Sequence, residues 1–323
     1  MRQEQKPTTL VTKRPAAASV VSASPLLIAV ALGIVYVVWG STYLGMDVAV
    51  ETLPPFLMLA LRFLAAGALL YAFTARGSRA TWREWAGHSV VGGLMLCVGT
   101  GGVAWGVTKI DTGTAALIVA SVPLWLTLLD RVANGARLAP AALVGLAVGF
   151  GGVGLLVGPG AEGSAVAGIV LVFTSRAWAV GSLGARRVPG NVRPLAAAAM
   201  QMIGGGVICA LVGVAGGELG RLETPSLDSL IAVVYLVVFG SLVGYTAYVW
   251  LLANASMSVV GTYAYVNPIV AVLLGSLFLD ERLGWVTLAA GTAVLAAVAL
   301  IVSARPVAAR PTRFAAALPV RGK

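Results

Sequence analysis

The sequence predicts an all-α integral membrane protein of ten transmembrane helices in two inverted five-helix repeats, and three observations carry that prediction. Apolar residues fill 59% of the 323 positions and charged residues only 11%, more apolar surface than a soluble domain can hide. Apolar runs of roughly 20 residues, the length that crosses a hydrocarbon core, recur with short polar breaks between them. The second half also repeats the first at a fixed offset of 145 residues.

Residues 1–24 mix Arg2, Lys6, Lys13 and Arg14 with Pro, Thr, Ser and Ala, too polar to insert and too poor in aromatics to fold, and are read as a cytosolic tail. The next apolar run is too long for a signal-peptide core and is read as an uncleaved first helix. Helices are expected near 26–46, 55–75, 86–107, 113–131 and 139–157, within a first unit spanning 25–158. A second unit, 163–303, holds helices near 164–184, 194–216, 227–252, 258–279 and 285–303, and a second cytosolic tail covers 304–323.

The net charge of +10 invites a nucleic-acid reading, but no basic stripe with interleaved aromatics supports one, and none is expected as a partner. The basic residues alternate from loop to loop instead. Arg76, Arg79, Arg83, Arg131, Arg137, Arg186, Arg187, Arg193 and both tails fall on one side, against Lys109, Arg221 and Arg282 on the other. By the positive-inside rule both termini are cytoplasmic, in a bacterial plasma membrane. Cys97 and Cys209 lie in apolar stretches without metal-ligand spacing and read as packing residues, so neither metal nor cofactor is expected.

The offset pairs Gly99 with Gly244, Trp105 with Trp250, Pro123 with Pro268, Arg137 with Arg282 and Leu138 with Leu283; Trp39 faces Trp178 at a slightly different offset. An odd number of helices per unit turns the second copy upside down. Inverted repeats suit a carrier, because two similar halves can exchange conformations and open one site to each side in turn. The plainer reading is a duplicated scaffold, since architecture alone does not establish function.

W-G-S-T-Y at 39–43, L-P-P-F at 53–56, L-R-F-L-A-A-G at 61–67 and Y-A-Y-V-N-P-I-V-A-V-L-L-G at 263–275 resemble the EamA family of the drug/metabolite transporter superfamily, in its exporter-like bacterial members. The resemblance runs from about 26 to 303 and is more specific in the second half, which carries D-E-R-L at 280–283 where the first half has G-A-R-L at 135–138. It implies a basket of ten helices around a central substrate cavity.

The expected site gathers Trp39, Thr42, Arg62, Thr100, Ser121, Pro123, Trp178, Tyr245, Tyr265, Asn267 and Pro268. Pro123 and Pro268 are expected mid-helix, where each withholds an amide proton and frees a carbonyl, of Val119 and Ala264, to line a wet cavity. Thr262 and Tyr265 share one helical face, Tyr263 and Asn267 another, and either could be the one that meets the cavity. Tyr245, Tyr248, Trp39 and Trp178 offer amphipathic rings for an apolar or aromatic cargo. Trp105 and Trp250, nearer helix ends, read as interfacial anchors. Arg62, several residues from either end of its helix, costs roughly 2.5–3.5 kcal/mol to insert unpaired, and a cargo carboxylate, a free carbonyl or a route to the surface would offset that. Arg176 poses the same problem in the sixth helix.

Carboxylates fall in tails, loops and helix ends, with Asp47 the nearest approach to the bilayer interior, and His88 is expected at the interface. Uniport, exchange or weakly coupled export is therefore expected over a proton antiporter built on a buried carboxylate. Gly149, Gly151 and Gly154 match G-x-G-x-x-G but sit within an apolar helix, so no dinucleotide site follows. Gly145 with Gly149, and Gly154 with Gly158, match small-residue packing spacing; internal packing is the main reading and a homodimer contact the minor one. No catalytic residue is expected, because an intramembrane enzyme would need a nucleophile with a base, a metal cluster or paired acids. The leading expectation is a carrier of small metabolites, amino-acid-like solutes or drugs, acting in export. A sugar-phosphate or nucleotide-sugar carrier is the alternative, and would want clustered cations at its cavity.

Overall fold

The computed structural model describes residues 24–74, 80–135, 138–158, 164–190 and 192–303. Both expected tails, apart from Ser24, and Arg76, Arg79 and Arg137 lie outside the described residues. The described chain is helical throughout, with α1 at Pro25–Val50, α2 at Pro55–Thr74, α3 at Trp82–Gly106, α4 at Thr112–Ala133 and α5 at Pro140–Val157. The second unit follows with α6 at Ala165–Ala185, α7 at Pro194–Ala215, α8 at Leu227–Asn254, α9 at Tyr263–Phe278 and α10 at Trp285–Ser303. Among these described helices all but α9 are long and apolar enough to cross a bilayer alone, and a separate turn, Met257–Val260, precedes α9.

The helix starts follow local chemistry. Prolines open α1, α2, α5 and α7, where a missing amide proton costs nothing and a fixed φ suits the first turn. Thr81 and Glu84 form a reciprocal capping box at α3, and the hydroxyls of Ser164 and Ser226 accept amide protons at α6 and α8. Two further amino termini are capped from a distance. The Glu218 carboxylate accepts from the Phe56 and Leu57 amides of α2, at 3.3 and 2.9 Å, and the Glu281 carboxylate from the Thr112 and Gly113 amides of α4, at 2.6 and 3.1 Å. Each carboxylate neutralises the positive end of a helix in the other unit.

Tertiary packing runs between the units more than within them. The most extensive contacts join α2 to α7 and α5 to α10, while α4 meets α9, α1 meets α9, α4 meets α6, α3 meets α7 and α2 meets α8. Exchanging each helix for its counterpart five places along maps this set onto itself, the contact pattern of a two-fold relation. Close approach is bought with glycine: a Cβ on Gly92 of α3 would stand 2.0 Å from the Gln201 carbonyl oxygen of α7. Gly145 lies against α10 and Gly149 against Leu124 of α4 and Ala297 of α10, whereas Gly154 faces open space. Large apolar side chains such as Phe73, Phe173, Leu273 and Leu277 cover the exterior, the inverse of a water-soluble surface.

Both units interrupt regular α-helix at matching points. A π-helical stretch occupies Gly93–Thr100 of α3, and another Leu236–Tyr245 of α8, so the two end at positions related by the repeat offset. The α4 segment breaks at Ala120 and Ser121, and α9 is preceded by a break at Gly261 and Thr262, about one turn earlier in repeat register.

Candidate functional site

A small cavity of about 80 Å³ lies among the helices, below the roughly 300–1,000 Å³ usual for small-molecule sites. Matching positions of the two units both line it: Trp39 and Trp178, Thr100 and Tyr245, and Val122 and Asn267. Trp39 and Trp178 meet edge to face with centroids 5.4 Å apart, and equivalent residues in contact mark where the two-fold relation passes. The glycines of the repeat make room for these rings. A Cβ on Gly99 would come within 2.8 Å of the Trp178 ring, and one on Gly244 within 2.8 Å of the Trp39 ring, so each unit's glycine admits the other's tryptophan.

Tyr263 also lines the cavity and Tyr248 packs fully buried behind the rings, with centroids 5.5 and 4.7 Å from that of Trp39. The Trp39 indole donates to the Gly240 carbonyl at 3.3 Å, and the Trp178 indole to the Tyr248 hydroxyl at 3.2 Å, which also bonds Ser182 at 2.9 Å. These bonds leave apolar faces towards the cavity while satisfying the polar tips.

Beyond the aromatic cluster a polar partition separates the cavity from a second hollow of about 400 Å³ lined by His88, Arg186, Gln201 and Leu252 among others. Tyr245 donates its hydroxyl proton to Gln201 Oε1 at 2.7 Å, and Gln201 Nε2 stands 3.2 Å from His88 Nδ1. His88, expected at the interface, is thus buried and joined to the cavity wall through one glutamine.

The expected site residues divide. Trp39, Thr42, Arg62, Thr100, Trp178, Tyr245 and Asn267 line the cavity; Ser121, Pro123, Tyr265 and Pro268 do not. Pro123 sits at the start of the second part of α4, directly after the break, so it begins a helix segment instead of kinking one. Pro268 is inside α9, but of the two carbonyl-bearing residues only Val119 is on the wall, and Ala264 is packed away. Ser121 is fully buried and its hydroxyl has no partner. Tyr265 turns to α10, where its hydroxyl donates to the Val298 carbonyl at 2.9 Å. The Tyr263 and Asn267 face of α9 is therefore the one that meets the cavity, with the Asn267 amide placed to donate to the Tyr36 and Tyr263 carbonyls at 3.1 Å each.

Arg62 is buried in α2 beside the second π-helical stretch. Its Nε donates to Ser241 Oγ at 2.8 Å, its guanidinium carbon lies 4.9 Å from the Phe63 ring centre, and Nη1 has no hydrogen-bond partner. Arg176, at mid-helix in α6, is exposed on the outer stripe with Val166, Ile169, Phe173 and Val180, away from the cavity. Trp105 and Trp250 are half-buried against the core. Sequence reasoning passed over Gln201, Thr174, Ser175 and Ser241; Gln201 alone carried a signal, as the single polar side chain between Pro194 and Ile208.

Ten apolar helices among the described residues, paired symmetrically around a polar-dotted cavity, define a polytopic membrane protein. The EamA-like transporter family matches it twice, over residues 16–158 and 166–303, and the chain belongs to that family. It is 37% identical over 273 residues to the uncharacterized inner membrane transporter YedA of Escherichia coli, covering 83% of this chain and 88% of that protein. The uncharacterized transporter YvbV of Bacillus subtilis is 24% identical over 280 residues, covering 84% and 90%. One solved crystal structure superposes with a TM-score of 0.59 at 22% identity, over 84% of this chain and 95% of the other.

Proposed function

We propose that this protein carries small solutes across the bacterial inner membrane by alternating access, in the direction of export, and that the central cavity is its substrate site. The observation that carries this reading is a cavity lined by residues of both units, with counterpart positions of the repeat among them. A rocking motion that exchanged the conformations of the two units would open such a site to one face and then the other. Charge supports the orientation. Arg83, Arg131, Arg186, Arg187 and Arg193 gather at one end of the helices, and Glu51, Asp111, Glu218 and Glu281 at the other, which supports a cytoplasmic reading of the basic end. Both termini then lie inside. The two units enter the membrane from opposite sides.

The cavity favours a solute that is largely apolar. Aromatic rings and aliphatic side chains make most of its wall, and hydroxyls of Thr42, Thr100, Thr174 and Ser175 supply scattered polar contacts. A sugar-phosphate cargo fits less well, because Arg62 is the one charged side chain among the described lining residues. The test is counterflow in proteoliposomes against a panel of amino acids, amines, weak acids and sugar phosphates. Saturable counterflow of at least one solute, lost when Trp178→Ala opens the wall, is the expected result; a protein that inserts correctly yet exchanges no member of the panel would contradict it.

A further inference from the structure

We propose that the cavity selects solutes bearing a carboxylate, held by the Arg62 guanidinium, with an apolar or aromatic body against Trp39, Trp178 and Tyr263. This inference rests on reading the cavity as the substrate site. Arg62 is only 4% exposed, and a buried guanidinium is stable when opposite charge or enough acceptors surround it. Ser241 satisfies Nε, the Phe63 ring lies near the guanidinium carbon, and Nη1 is left with nothing. No Asp or Glu stands among the described residues that line the cavity, so the charge has no internal counterion there.

The guanidinium is also held in place. A Cβ on Gly240 would lie 2.6 Å from Nη2, so Gly240 is the gap in the α8 backbone into which the fork fits. A planar fork fixed on one side by Ser241 and Gly240 keeps Nη1 as an unpaired donor for a carboxylate oxygen. With one cation the wall suits a single negative charge, and with aromatic side chains on the same wall it suits an apolar body of modest size.

The decisive comparison uses three probes of one shape on the full chain in lipid nanodiscs: 3-phenylpropionate, its amide and 3-phenylpropylamine, titrated by calorimetry. The acid is expected to bind about tenfold or more tighter than the amide, as a charge-assisted bond into a dry site requires, with the amine weakest. Arg62→Gln is expected to erase the preference of acid over amide, and Arg62→Lys to keep part of it. Because the ranking is read on the unaltered protein, it decides the matter even if Arg62→Gln does not fold. Amide or amine bound as tightly as the acid overturns the carboxylate inference and leaves the cavity standing as a substrate site. Binding by none of the three overturns both.

Discussion

The first unit, α1–α5, and the second, α6–α10, match in backbone and diverge in charge. Tryptophans, the glycines that admit them and the ends of the π-helical stretches fall at corresponding places. Arg62, by contrast, lines the cavity from the first unit alone, and Glu281 of the second unit caps α4 while the repeat sets Ala136, outside the described residues, in its counterpart position. The break in α4 also lies about one turn further along than the break before α9. On the proposed reading a symmetric frame would let the two units exchange shapes, and the unequal chemistry would give the cavity one preferred end for a solute's charge.

The largest expected effect breaks the comparison at its most unequal point. Arg62→Ala is expected to abolish counterflow while protein levels and membrane insertion persist, and normal flux in that variant would remove the guanidinium from the mechanism. The symmetric pair comes next. Gly99→Ala and Gly244→Ala each push a ring of the opposite unit, and overpacking of this kind costs about 1–3 kcal/mol. The two variants are expected to raise the KM for a transported solute by similar factors; an effect from one and none from the other would show that the frame is not functionally symmetric.

Glu281 sharpens the comparison from the other side. Glu281→Ala is expected to lower the unfolding midpoint through loss of two charge-assisted bonds at the start of α4, about 1–3 kcal/mol, with Glu281→Gln retaining part of it. Ala136→Glu supplies the missing counterpart, and is expected to slow turnover by favouring closure at the basic end. Unchanged turnover in a well-folded Ala136→Glu protein would detach this asymmetry from gating. The smallest effect is at Arg176, where Arg176→Leu is expected to leave transport within about twofold of the original and to stabilise insertion, since the side chain lies on the outer stripe of α6.

Much of the fold was legible because lipid imposes coarse rules. Span length, basic loops and the repeat offset are properties of the backbone and of bulk charge, and they yielded the helices with ends displaced by a few residues, as at α3, which begins at Trp82 instead of near 86. The site was legible where a residue is conspicuous in lipid: Trp39, Arg62, Trp178 and Asn267 all line the cavity. What escaped depended on rotation and local winding. Arg176 looks like Arg62 in sequence, yet packing of α6 against α3 and α4 turns it outward. Tyr265 and Tyr263 differ by two positions, about 200° of helix, and only tertiary contacts choose between them. Pro123 was taken for a kink because periodicity does not reveal a break two residues before it.

The central claim is that one cavity between the two units opens to each side of the membrane in turn. Site-directed labelling tests it most directly: Thr42→Cys, on a background with Cys97 and Cys209 replaced, exposed to a membrane-impermeant thiol reagent in right-side-out and in inverted vesicles. The account predicts modification from both sides, with a transported solute protecting against each. Labelling from a single side under every condition, or from neither, would contradict it.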